Sequence, residues 1–219
     1  MYNFYELNVD RYTFCDKIVF VIKKEKVLKG LEVFVMRIIS GKVRGLKLET
    51  PKNDDIRPTT DRIKESVFNI INSYILDSEV LDLFSGSGSL GLECISRGAK
   101  KCVFVDSNKE SINLLKKNIR KTRFEENSEV FNLDFRDALG QFGTKNKKFD
   151  LIFLDPPYHE GLFEEALQKI QKNNLIKEDS LIIVEHDTED KLPDKIDKLS
   201  KKDERKYGKT TITFYEKNI

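Results

Sequence analysis

Five short apolar runs set the rhythm of the chain after residue 78: Val80–Phe84, Cys102–Val105, Val130–Leu133, Leu151–Leu154 and Leu181–Val184. Each is four or five residues long and apolar nearly throughout, the pattern of a strand covered on both faces. Between them the apolar spacing widens to that of a helix. Ser107 is expected to open one helix, with Glu110 three residues on at a capping-box distance and Ile112, Leu115 and Ile119 along one face. Leu162, Phe163, Leu167 and Ile170 mark another. Strand and helix in alternation predict an α/β fold of right-handed βαβ units, with a parallel sheet covered on both sides.

Both ends of this pattern differ. Upstream, Thr60 is placed to cap a helix whose apolar face is Ile63, Val67, Ile70, Ile71 and Tyr74. Before it, Met36 to Leu48 alternates apolar and basic residues about two glycines, which predicts a small β-hairpin. Downstream, Tyr207-Gly208 leads into the β-branched and aromatic run Thr210–Tyr215, read as a last, antiparallel strand at or near the sheet edge. The mixed-sign stretch Asp190–Lys206 reads as a solvated connection. The expected organisation is an extension over 1–35 without an interpretable motif, a basic hairpin arm over 36–60 and one domain over 61–219. Met36 is a second candidate start.

Composition narrows the class. A chain of 219 residues with 15 Phe buries a sufficient core without disulfide or metal staples. Its 35% charged residues are balanced in sign, which argues against wholesale disorder. Cys15, Cys94 and Cys102 form no CxxC pair, and His159 and His186 lack metal-ligand spacing, so no metal site is expected. No run reaches the ~18 apolar residues of a membrane span, and no signal-peptide pattern opens the chain. A reducing cytoplasm fits these features. The net charge of +2 is an average over unlike parts. Arg37–Lys64 holds eight basic residues against four acids, whereas the stretch from Glu65 onward sums to −3. A basic arm on a mildly acidic core suits a phosphate backbone, with Arg37, Lys42 and Arg44 as candidate contacts and Arg57, held by Pro58, at the mouth of the site.

Two segments carry chemistry. Val80 to Gly91 reads as strand, tight turn and helix, with Gly86, Gly88 and Gly91 in G-x-G-x-x-G spacing. Asp106, 20 residues after Gly86, ends the next strand, where a carboxylate can hold a ribose diol. The glycines can equally serve close packing, and Asp106 can cap a helix. Asp82 and Ser85 add polar groups on the approach to the turn. An acid there repels a pyrophosphate but attracts an ammonium or sulfonium, both present in S-adenosylmethionine. Asp137, with Asp134 as its rival, is placed to accept a hydrogen bond from an adenine amine. The second segment, Leu151-Ile-Phe-Leu-Asp-Pro-Pro-Tyr158, ends a strand in a rigid set of acceptors. Asp155 and the Pro156 carbonyl can take the two N–H bonds of a planar exocyclic amine, and Tyr158 can stack on the base. A strand simply stopped by two prolines is the plainer alternative.

Asp82-Leu-Phe-Ser-Gly-Ser-Gly together with Asp155-Pro-Pro-Tyr resembles the Rossmann-like methyltransferases that modify nucleobase amines. Met36-Arg-Ile-Ile-Ser-Gly-Lys-Val-Arg-Gly, Ile56-Arg-Pro-Thr-Thr-Asp-Arg-Ile-Lys-Glu-Ser-Val-Phe-Asn69 and Tyr207-Gly-Lys-Thr resemble, more narrowly, the RsmD family of bacterial 16S ribosomal RNA guanine-N2 methyltransferases. The likeness runs from Met36 to the C-terminus and excludes residues 1–35. It implies a mostly parallel seven-stranded sheet with an antiparallel C-terminal strand. It further implies that Asp82, Ser85, Gly86 and Gly88 hold the methionine end of S-adenosylmethionine, Asp106 the ribose and Asp137 the adenine. Asp155, Pro156, Pro157 and Tyr158 are implied to hold the target guanine. The implied partner is 16S ribosomal RNA, free or in an assembling small subunit, and the enzyme a metal-free monomer. Adenine-N6 and protein-glutamine methyltransferases are the neighbouring alternatives, although the latter usually have Asn where Asp155 stands. An NAD-dependent dehydrogenase or a non-catalytic RNA-binding module would leave Asp155–Tyr158 unexplained.

Overall fold

The computed structural model describes residues 36–50, 61–157 and 161–217. After α1 (Asp61–Ile70) the chain alternates as the apolar pattern predicts: β1 (Glu79–Asp82), α2 (Ser89–Ser96), β2 (Lys101–Val105), α3 (Lys109–Thr122), β3 (Ser128–Phe131), α4 (Phe135–Thr144), β4 (Phe149–Leu154), α5 (Leu162–Lys172) and β5 (Ile176–Asp187). Three strands follow without an intervening helix: β6 (Lys195–Ile196), β7 (Leu199–Tyr207) and β8 (Thr210–Lys217). The sheet order is β3-β2-β1-β4-β5-β8-β7-β6, parallel from β3 to β5 and antiparallel beyond.

Period-two alternation divides the core between the two faces of the sheet. Val80, Leu151, Phe153, Leu181 and Ile183 face α1, α2 and α3; Leu81, Ile152, Leu154, Ile182 and Val184 face α4 and α5. Cys102–Val105, Leu151–Leu154 and Leu181–Val184 are buried throughout, which is why they read as continuous apolar runs, whereas β3 is half-buried along its length.

Four expectations need correction. Asn108, not Ser107, caps α3: its side chain accepts from the Glu110 and Ser111 N–H groups at 2.7 and 3.3 Å. An Asn in extended backbone offers a carbonyl oxygen to both orphan donors at once. The charged stretch read as a connection contains β6 and most of β7, so the sheet has eight strands instead of seven. Hydrogen bonding to β8 supplies the pairing, while the many charged side chains keep this near-edge strand from recruiting others. β8 is interior, between β5 and β7, because its run Ile212–Tyr215 is buried on both faces. Finally, α1 ends at Ile70, which is 39% exposed; Tyr74 lies in a separate 3-10 turn and Phe68 takes the buried place instead. Thr60 lies outside the described residues.

The segment 36–50 forms a narrow hairpin with one bridge, Arg37 to Lys47, and backbone bonds Ile38 N–H to Leu46 O and Leu48 N–H to Met36 O. It is docked, with Ile38 and Leu48 buried in the core beside α1, α2 and α3.

Candidate active site

All the sequence-predicted groups that the structure describes, apart from the hairpin, gather at the carboxyl ends of β1 to β4, the edge at which open α/β sheets bind ligands. The chain leaves β1 at Asp82 and turns through Ser85–Gly88 into α2. Gly88 caps that helix with φ +80°, and a Cβ there would stand 2.3 Å from Leu115 Cδ1. Only glycine meets both conditions. The Asp82 carboxylate accepts from Gly91 N–H at 3.0 Å and is 2% exposed. Burial, helped by the nearby Asp106 charge and opposed by the Gly91 bond, pushes its pKa up to about 7. Asp106 accepts from Gly86 N–H at 2.8 Å and from Asn108 N–H at 2.8 Å, so one carboxylate fixes the glycine turn to the start of α3. The Ser85 hydroxyl is buried and finds no hydrogen-bond partner among the described residues. A buried orphan hydroxyl beside a desolvated acid is the pattern of a site shaped for a polar ligand bearing a cationic group.

Asp134 and Asp137 are separated by their surroundings. Asp134 caps α4 through Arg136 N–H at 2.8 Å and pairs with the Arg136 guanidinium, which also grips Glu165 of α5 through two bonds of 2.8 and 2.6 Å. Asp137 is exposed on the first turn of α4, and its carboxylate makes no hydrogen bond or ion pair among the described residues. The Phe84 and Phe135 rings, 5.3 Å apart, sit beside this wall.

Asp155 follows the last residue of β4 and is partly exposed; Pro156 is buried and Pro157 exposed. Burial pushes the Asp155 carboxyl well above the usual range, and the Glu185 and Asp82 charges add to it. Tyr158 and Arg57 lie outside the described residues. Among the hairpin cations, Arg37 is engaged by Asp61 at 2.7 Å, whereas Lys42 and Arg44 stand exposed on the turn.

Three further residues matter that the sequence reading passed over. Glu93 of α2 is fully buried and accepts from Ile39 N–H (2.7 Å), Ser40 N–H (2.9 Å), Arg97 (2.8 Å) and Lys64 (3.1 Å). Lys64, itself 2% exposed, also donates to the Arg37 carbonyl and to Ser89 Oγ. This cluster fastens hairpin, α1 and α2 together behind the glycine turn. In the sequence both residues looked like ordinary helix charges, and no local spacing marks a long-range pair. Glu185 ends the apolar run of β5 as Asp155 ends that of β4, a signal that was present but unused.

A parallel sheet with an antiparallel strand inserted beside β5, a cofactor-type turn after β1 and an acid-Pro-Pro after β4 define a Rossmann-like methyltransferase. The family model described as "Conserved hypothetical protein 95" matches residues 36–216. Ribosomal RNA small subunit methyltransferase D of Haemophilus influenzae is 45% identical over 151 residues, covering 68% of this chain and 78% of that protein. Its Escherichia coli K12 namesake is 38% identical over 158 residues, 72% and 78% of the two chains. A solved structure of a candidate methyltransferase from Escherichia coli superposes with a TM-score of 0.74 at 35% identity, covering 83% of this chain and 97% of that one. The chain belongs to the family so matched, the RsmD family of ribosomal RNA methyltransferases.

Proposed function

We propose that this protein transfers a methyl group from S-adenosylmethionine to the exocyclic N2 amine of a guanine in 16S ribosomal RNA, in the cytoplasm. The observation that carries the reading is the meeting, on one sheet edge, of the orphan Ser85 hydroxyl and buried Asp82 with the Asp155-Pro156-Pro157 acceptors one strand away. In this reading Asp82, Ser85, Gly86 and Gly88 hold the methionine end, Asp106 the ribose, and Asp137 or Asp134 the adenine. When bound, the cofactor supplies an electrophilic sulfonium methyl. The protein does the rest by position and electrostatics. Asp155 and the Pro156 carbonyl accept the two N–H bonds of the amine and hold its nitrogen towards the methyl, with Tyr158 against the base face and Pro157 fixing the loop. Such a pocket admits a base only after it leaves its stack, so an unpaired or splayed guanine is the substrate. Lys42 and Arg44, together with Arg37 and Arg57, take the phosphate backbone.

The deciding experiment is mass mapping of small-subunit RNA from a strain lacking the gene, before and after incubation with the purified protein and S-adenosylmethionine. One guanine is expected to gain 14 mass units at N2 (~14 Da for one methyl replacing one hydrogen). A methyl on adenine, or tight binding of NAD in place of S-adenosylmethionine, would sink the proposal.

A further inference from the structure

Both ends of the hairpin converge on Ser87, the residue between the two glycines of the turn. Ser87 is 7% exposed; its hydroxyl donates to Met36 Sδ at 3.1 Å, and its carbonyl accepts from the side-chain amide of Asn118 in α3 at 2.9 Å. The same amide grips the far end of the hairpin. It donates to the Glu49 carbonyl at 3.1 Å and accepts from Glu49 N–H at 2.7 Å, as a residue of a neighbouring strand would. Asn118 is fully buried, and both of its N–H donors are taken. A further link runs from the Arg37 carbonyl through the Lys64 ammonium to Ser89 Oγ, at 2.8 and 3.1 Å.

Gly86 and Gly88, at φ +50° and +80°, leave the backbone at Ser87 free to swing unless something outside the turn holds it. The peptide plane from Ser87 to Gly88 is held at both ends, its C=O by Asn118 and its N–H by the Ser85 carbonyl at 2.6 Å. The second bond closes the turn on Ser85, whose buried hydroxyl has no partner among the described residues. A ligand that reaches this hydroxyl meets a turn already in order, and binding loses little further entropy there.

We propose that the hairpin is a working part of the cofactor site as well as an RNA contact, and that Asn118 is the positioning residue joining the two: it holds the Ser87–Gly88 peptide in the form that S-adenosylmethionine binds. The inference rests on the function proposed above, which supplies the cofactor. Hairpin and turn share these bonds, so a ligand that orders the turn also steadies the hairpin, and the effect is reciprocal.

The test compares calorimetric affinity for S-adenosylmethionine, without RNA, in the wild type, N118A and T122A. Thr122 lies one turn further along α3, is 2% exposed, and donates its hydroxyl to the Asn118 and Ile119 carbonyls of its own helix. T122A therefore costs stability without touching the turn. N118A is expected to bind S-adenosylmethionine about tenfold more weakly, the scale of one or two lost hydrogen bonds, and T122A within about twofold of the wild type. In steady state, KM for S-adenosylmethionine is expected to rise in N118A while kcat stays within a few-fold, a split that a general loss of packing does not give. Equal affinity in N118A and the wild type would overturn the proposal. If N118A fails to fold, amide exchange in the wild type decides. Saturating S-adenosylmethionine is expected to slow exchange of the Ile38, Leu48 and Glu49 N–H groups several-fold, and unchanged exchange there with the cofactor bound overturns the coupling. A wild type that binds no S-adenosylmethionine would instead sink the function proposed above, and this role with it.

Discussion

Asp82 has been taken out of water and given one backbone N–H but, among the described residues, no cation. Its folded pKa of about 7 exceeds the unfolded value near 3.8, so the folded state binds the extra proton. Its contribution to stability is therefore fully present below the unfolded pKa and is lost as pH rises through about 7. D82N removes that penalty while an amide oxygen still accepts from Gly91. The ligand-free variant is expected to melt ~2–4 °C higher at pH 8, the shift that about 1 kcal/mol produces in a domain of this length, and the gain should vanish in acid. The same ionised carboxylate is what an ammonium-bearing ligand needs. Calorimetric affinity for S-adenosylmethionine should thus rise from about pH 6 to about pH 8 in the wild type and stay flat in D82N. At Asp155 the expectation is the opposite: D155A abolishes methyl transfer to RNA and leaves cofactor affinity within a few-fold. Full activity in D155A would remove Asp155 from the site. Asp155 was legible because it ends an apolar run abruptly, and Asp82 because it is the one acid inside another. Their altered acidities were not, since desolvation belongs to the folded environment and not to the local sequence.

At the scale of elements, the hairpin is bound by a charge cluster more than by its own ladder. Glu93 alone satisfies two hairpin N–H groups and two cations, and Lys42 N–H and Val43 N–H are taken by the Ser96 carbonyl and hydroxyl at 2.8 and 3.2 Å. Gly41, at φ +84°, passes so close that a Cβ would stand 1.9 Å from the Ser96 carbonyl oxygen. E93A leaves Lys64 buried and uncompensated, and chemical denaturation should show a loss of about 3–5 kcal/mol. G41A should keep the sheet but free the hairpin, seen as rapid proteolysis within 36–48 together with a lower melting temperature, because Ile38 and Leu48 leave the core. A stable, protease-resistant G41A would contradict the docking. The alternation of Met36 to Leu48 disclosed a hairpin, yet its anchorage depends on contacts more than 50 residues away that no local pattern encodes. β7 was missed for a related reason: its charged side chains conceal a backbone whose partner is β8.

Over the whole molecule, the βαβ alternation was legible because burial on both faces forces continuous apolar runs, and that alone separated this fold from other classes. The charge asymmetry was legible too. The structure divides its roles: Arg37 is tied to Asp61, whereas Lys42 and Arg44 reach solvent on the same hairpin. Reversing both (K42E/R44E) should weaken RNA binding about tenfold or more at low salt and flatten the dependence of log K on log salt by about two to four phosphate contacts. Filter binding at several salt concentrations reads this directly, and an unchanged slope would count against the hairpin as the RNA contact.

The place of β8 between β5 and β7 bears on synthesis. On the ribosome, β5 is complete once Asp187 has emerged, yet its outer edge stays unpaired until Thr210 to Lys217 arrive, because β7 reaches the sheet only through β8. During that interval the nascent chain displays a long apolar strand with open N–H and C=O groups, the form most prone to pairing with a neighbour.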